Sequence, residues 1–318
     1  MEITKPGNSQ EDYLALAYAH QQEVGGKYVP FLDILKEVLE DSITSDEAAT
    51  RVSTFVFSHN DFLSIYSGVL STIIGAAHQL SEQRDLSKLA GLVSALSRLP
   101  DDRNDSNKTL HLYLELESYD IAPQEVIEVD DGKIWCDLPC FHTELGDSMR
   151  GPTAYINDGI PEHIAEQQWT NLNTFAACLI SNRADSPRSF DYLYTFAFRC
   201  ITDSLEWDAR TEQGMFSLYS LPAAMRWLCI AGQKVWENGT WCVAGPLWRG
   251  YCEGEEVEVE DGGNNGITLE RWLWWAERLE ELGESNMIDE EAKALAGSCA
   301  EMIREWAADD SGPREGNP

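Results

Sequence analysis

The stretch Phe31-Leu32-Asp33-Ile34-Leu35-Lys36-Glu37-Val38-Leu39 sets Phe31, Ile34, Leu35, Val38 and Leu39 at i, i+3, i+4, i+7 and i+8. That spacing gathers apolar side chains along one side of a 3.6-residue turn and predicts an amphipathic helix with a core-facing stripe. Just downstream, Thr44-Ser45-Asp46-Glu47 has the form of a capping box and predicts a helix running through Phe57. The same period predicts helices over about 60–80, 85–99 and 107–119, then 162–181, 190–207, 222–237, 269–283 and 289–308. No run of strict alternation competes with them. The expected fold class is therefore all-α, a single large helical bundle over residues 1–308. It would comprise N-terminal helices to 120, a Pro- and Gly-punctuated connection over 121–161, and a Trp-rich set of helices over 162–308. Trp135, Ile134 and Phe141 suggest that the connection packs down. The acidic, Gly-rich stretch 252–266 reads as a mobile loop and 309–318 as a disordered tail.

Charge narrows the partners. The chain carries 23 basic and 55 acidic residues, a formal net charge of −32. Such a surface repels phosphate backbones and anionic lipid, so binding to nucleic acid or to a membrane surface is not expected. An anionic substrate would need a local cluster of Lys and Arg or a bound cation. Residues 62–80 hold no Asp, Glu, Lys or Arg, yet Ser64, Tyr66, Ser67, Ser71, Thr72, His78 and Gln79 make them too polar for a membrane span. The N-terminus lacks a basic-plus-apolar signal, and the eight cysteines read as reduced thiols of a cytoplasmic protein.

All eleven tryptophans and all eight cysteines lie at or beyond Trp135. Large rings beside fixed polar groups suit an apolar ligand with a charged head. The segments Ile134-Trp135-Cys136-Asp137-Leu138-Pro139, Trp169-Thr170-Asn171-Leu172-Asn173-Thr174-Phe175-Ala176-Ala177, Thr202-Asp203-Ser204-Leu205-Glu206, the helix over 223–236 and Gly266-Ile267-Thr268-Leu269-Glu270-Arg271-Trp272 carry a resemblance. Together they resemble the OpdG-like family of fungal secondary-metabolite gene clusters, and are similar to humulene-forming sesquiterpene cyclases. The resemblance implies an all-helical, class I-like enzyme that ionises and cyclises a prenyl diphosphate such as farnesyl diphosphate with Mg²⁺. Two departures stand against it. Asp130-Asp131 is followed by Gly132-Lys133-Ile134, so no DDxxD is complete, and Asn60 and Ser64 have the spacing of a metal triad whose last position is Gly68.

Asp203 and Glu206 share a helix face at i, i+3, with Arg199 one turn before Asp203. They either hold Mg²⁺ with Asn173, or form a helix ion pair beside a solvated Glu206. Asn173 lies among apolar residues, where a buried amide must find a partner, so it either completes that metal site or bridges helices. Arg199, Arg226 and Arg271 would stabilise the leaving diphosphate, with Lys234 beside them. Trp169, Phe175, Trp227 and Trp272 would line the substrate pocket, though Trp272, Trp275 and Leu279 at i, i+3, i+7 read equally as ordinary core. Zinc on Cys136, Cys140 and His142 is disfavoured because Cys242 and Cys252 do not supply a second pair. No nucleophile elbow or phosphate-binding glycine loop is present. Two functions follow as expectations: a Mg²⁺-dependent sesquiterpene cyclase, monomeric or homo-oligomeric, or a non-catalytic helical accessory or scaffold protein of a biosynthetic gene cluster.

Overall fold

Phe31, Ile34, Leu35, Val38 and Leu39 are all buried in a helix, as their spacing predicts. The computed structural model describes residues 9–114, 117–130, 132–182, 190–208, 210–211, 217–238, 248 and 268–308. The stretches 252–266 and 309–318 lie outside the described residues. The chain divides into two compact units: Met1–Arg150 with Asn182–Phe190, and Gly151–Ser181 with Asp191–Pro318.

The first unit opens with α1 (Gln10–Glu23), α2 (Val29–Leu39), α3 (Ser45–Phe57), α4 (Phe62–Gln79) and α5 (Gln83–Leu96). The Thr44 hydroxyl accepts from the Glu47 N–H at 3.2 Å and so caps α3. Helix α4 is the uncharged segment, its apolar residues buried among neighbouring helices; no described helix is long and apolar enough to cross a membrane. Tyr28 lies across Gly68 of α4, where an added Cβ would fall 2.0 Å from the phenol oxygen. Only glycine admits that approach.

The helix expected over 107–119 is not formed. Strands β1 (Leu110–Leu114) and β2 (Glu117–Ile121) make an antiparallel hairpin instead, with Leu110 opposite Ile121 and Leu112 opposite Tyr119. The physical reason stands in the sequence: Leu110, Leu112 and Leu114 alternate with His111 and Tyr113, a period of two that buries Leu112 and exposes His111 and Tyr113. On the exposed face His111 Nδ1 lies 2.6 Å from Asp120 Oδ1, directly across the pair. A second, shorter hairpin joins β3 (Glu128–Val129) to β4 (Gly132–Lys133). The connection then packs down as expected. Trp135 is buried, donates to Asp102 Oδ2 at 2.6 Å, and meets Tyr66 edge-on, while Tyr66 donates to the Pro139 carbonyl at 2.7 Å. That bond ties α4 to a turn whose flanking residues, Leu138 and Cys140, have φ of 47° and 72°. α6 (Phe141–Ser148) completes the unit.

The second unit holds α7 (Pro152–Asn157), α8 (Glu162–Ser181), α9 (Tyr192–Leu205), α10 (Ser217–Glu237), α11 (Leu269–Glu284) and α12 (Glu290–Ala308). α10 packs against α8, α9 and α12, and α11 packs against α12 and α9. α10 starts five residues before the expected boundary and carries Pro222 inside it, which supplies no N–H to the carbonyl four residues back. Indoles fill the space between α10, α11 and α12. Trp236 stacks on Trp272 at 5.3 Å between centroids, and Trp272 in turn meets Trp275 at 5.4 Å and Trp306 at 6.1 Å. The described chain is thus mostly helical, with two short hairpins.

Candidate functional site

Thr268 begins α11. Its side chain accepts from the Arg271 N–H at 3.1 Å, and that cap fixes where the first turn points. Arg271 and Trp275 are four residues apart and share a face, here turned into the core. α9 ends at Leu205, with Glu206 at its C-cap. A carboxylate there opposes the helix dipole, so its place must be held by something stronger. Arg271 provides it. Its Nε donates to Glu206 Oε1 at 2.7 Å and its Nη2 to Oε2 at 2.9 Å, a two-point fork. Trp275 Nε1 adds a third donor to Oε1 at 2.8 Å, and the Arg271 guanidinium lies 5.6 Å from the Trp275 ring centre. Both side chains of the ion pair are 0% exposed. Nearby, Arg278 Nε reaches the Leu205 carbonyl at 3.4 Å, at the end of α9.

Asn173 is buried at the middle of α8. Its Nδ2 donates to the Trp169 carbonyl at 2.8 Å, and its Oδ1 accepts from Trp227 Nε1 at 2.7 Å. The amide therefore bridges α8 to α10, the second of the two readings its position allowed. Arg199 and Asp203 lie 3.6 Å apart on the exposed side of α9, with 67% and 52% of their side chains accessible. The helix-pair reading holds for them, but the solvated Glu206 that accompanied it does not, since Glu206 is buried on Arg271. Lys234 is also engaged. Its Nζ donates to the carbonyls of Ile180 and Ser181 at 3.1 and 2.9 Å, so it caps the C-terminus of α8. Arg226 is half-buried on α10, where its charge acts on Cys229 and Cys299. Trp169, Phe175, Trp227 and Trp272 are buried, and the Trp272 and Trp236 indole N–H groups have no hydrogen-bond partner among the described residues.

These contacts bear on Mg²⁺. Of the three expected ligands, Asp203 pairs outward with Arg199, Glu206 spends its oxygens on Arg271 and Trp275, and Asn173 spends its amide on Trp169 and Trp227. The set does not fit the cation as it stands, because Mg²⁺ needs near-octahedral oxygen ligands that are free to face it. Among the described residues no three His, Cys, Asp or Glu side chains group as a metal site, which also covers Cys136, Cys140 and His142. Cys140 Sγ faces Asp130 Oδ2 at 3.7 Å.

A family described as proteins of unknown function, DUF3632, matches residues 71–279. That span is about two thirds of the chain. The chain belongs to DUF3632. The matched region runs from α4 to α11 and holds Asn173, Glu206, Trp227, Arg271 and Trp275, but stops before α12 with its Cys299 and Trp306. Neither the curated proteins nor the solved structures yield a match.

The Arg271–Glu206 fork is the part that sequence reasoning missed. Its members are 65 positions apart, and helical spacing pairs Glu206 with Asp203 instead. The usable signal is local: Thr268 as a cap fixes the facing of Arg271, and an arginine in phase with Trp275 on an aromatic stripe must bring a carboxylate inward with it.

Proposed function

We propose that this chain is a non-catalytic helical accessory protein, working by binding a partner and not by turning over a prenyl diphosphate; its resemblance to proteins of secondary-metabolite gene clusters gives the setting. One observation carries the reading. Glu206, the buried carboxylate expected to hold Mg²⁺, has its oxygens taken by Arg271 and Trp275 at 2.7 to 2.9 Å. An ionising cyclase needs a carboxylate face open to metal and diphosphate. Here the inward charges neutralise each other, and the outward pair of Arg199 and Asp203 is half in solvent. Asn173, Lys234, Glu206 and Arg271 instead tie helices of the second unit to one another.

A second reading keeps the class I cyclase, supported by Trp169, Phe175, Trp227 and Trp272 lying buried in one unit and by the unpartnered indole N–H groups of Trp236 and Trp272. In that reading the aromatic surface shelters a carbocation and excludes water. One experiment separates the two: incubate the full chain with farnesyl diphosphate and with geranyl and geranylgeranyl diphosphates, with Mg²⁺ or with EDTA, and analyse the hydrocarbons. The accessory reading expects no product above the protein-free control. A Mg²⁺-dependent hydrocarbon overturns it and establishes the cyclase.

A further inference from the structure

Cys229 lies on α10 and Cys299 on α12, in the same unit and 70 positions apart, and their Sγ atoms are 3.2 Å from each other. A disulfide needs about 2.05 Å between the sulfurs, so the two must close by little more than 1 Å. The pair is not symmetrical. Cys229 is partly exposed, whereas Cys299 is buried, with its Sγ 3.6 Å from the Met225 carbonyl oxygen. Arg226 stands one turn before Cys229 on α10. The hydrogen bond from Cys299, helped by the Arg226 charge, holds the Cys229 thiol below its usual range, while that same contact and burial push Cys299 up. One sulfur is accessible and inclined to ionise; the other is enclosed and stays protonated.

That division of roles is the one a peroxide-sensitive thiol and its resolving partner require. We propose that Cys229 and Cys299 are an oxidative modification site, in which hydrogen peroxide or a small organic peroxide converts Cys229 to a sulfenic acid and Cys299 closes the disulfide. The Cys229 thiolate attacks a peroxide oxygen; the O–O bond breaks, and hydroxide, or the alkoxide of an organic peroxide, leaves and takes up a proton to become water or an alcohol. The Cys299 sulfur then attacks the sulfenic sulfur. The S–O bond breaks, and hydroxide departs with the Cys299 proton as water. Two thiols are oxidised and one peroxide is reduced by two electrons. The product staples α10 to α12, the latter beyond the end of the family match. This inference does not depend on which function above is correct.

The test treats the full-length reduced protein with equimolar hydrogen peroxide, blocks free thiols with iodoacetamide and maps the peptides. A cross-linked pair containing Cys229 and Cys299, reversed by dithiothreitol, is expected, with a rise in Tm of about 5–10 °C from closing so long a loop. Cys299→Ser should let the sulfenic acid accumulate, read as dimedone labelling at Cys229 at least several-fold above the unsubstituted chain. Cys229→Ser should leave Cys299 unlabelled. The isosteric serine keeps both variants folded, which far-UV circular dichroism verifies. A cross-link joining any other cysteines, or dimedone labelling at Cys229 that Cys299→Ser does not raise, overturns the proposal.

Discussion

Replacing Glu206 with alanine removes the acceptor of three hydrogen bonds and takes this carboxylate away from the Arg271 guanidinium in a site that solvent does not reach. Breaking a buried ion pair on one side costs about 3–5 kcal/mol, and the stranded Trp275 N–H adds about 1–3 kcal/mol. These terms overlap, so the expected loss is about 4–6 kcal/mol. For a unit of this size each kcal/mol moves Tm by about 2–4 °C, so Glu206→Ala should melt about 8–24 °C lower than the parent. Asp203→Ala serves as the control, because its exposed pair with Arg199 is worth about 0–1 kcal/mol. The decisive variant is the double replacement Glu206→Leu with Arg271→Met. It removes both charges and their desolvation cost together, so it should recover most of the loss. Urea unfolding followed by circular dichroism gives the free energies of these variants and of the singles Glu206→Leu and Arg271→Met. A structural role for the buried pair is refuted if Glu206→Ala costs no more than Asp203→Ala, or if the double variant loses as much as its two singles combined.

Three further predictions use other contacts. A Cβ at Gly232 would fall 2.5 Å from the Trp306 ring, so Gly232→Ala should destabilise by about 1–3 kcal/mol; Trp306→Ala in the same chain should cancel the overlap, as a double-mutant cycle in urea would reveal. Asn173→Ala should cost about 1–3 kcal/mol by leaving the Trp227 indole N–H without an acceptor, and a thermal melt unchanged by this substitution would remove the α8–α10 bridge from the account. Burial pushes His78 down to about 4. Because the unfolded histidine takes up its proton near pH 6.5 and the folded one only near 4, the His78 contribution is intact above about pH 6.5 and is lost as pH falls toward 4. The slope is at most about 1.4 kcal/mol per pH unit, less where the ring meets water. His78→Gln should flatten stability against pH in that window relative to the parent, and two parallel curves would contradict the assignment.

Local rules made the helices readable. The stripe of α2, the Thr44 cap of α3 and the full span of α8 depend on residues within one or two turns of each other, and the structure keeps them. The hairpin over 110–121 is equally local, but its alternation of leucines with His111 and Tyr113 is only five residues long and also places Leu110 and Leu114 at helical spacing, so the two periods compete in the sequence. The candidate site was less legible. Helical spacing told correctly that Arg199 and Asp203 share a face, yet it could not tell that Glu206 lies at the end of α9 and turns toward Arg271. Lys234 likewise stands beside the arginines as positive charge for a diphosphate in the sequence, because the carbonyls of Ile180 and Ser181, which it satisfies, belong to a helix end more than fifty positions away. Burying a charge is a decision of tertiary packing. No periodicity along the chain encodes the partner.

The distribution of indoles has a practical consequence. Trp135 is the single tryptophan of the first compact unit, whereas Trp236, Trp272, Trp275 and Trp306 stand ring against ring in the second. Coupled chromophores give a near-ultraviolet dichroic signal that vanishes when the rings separate, so this signal follows chiefly the second unit without a label. Its midpoint in denaturant, set against that of the far-ultraviolet helical signal of the whole chain, distinguishes concerted unfolding from stepwise unfolding.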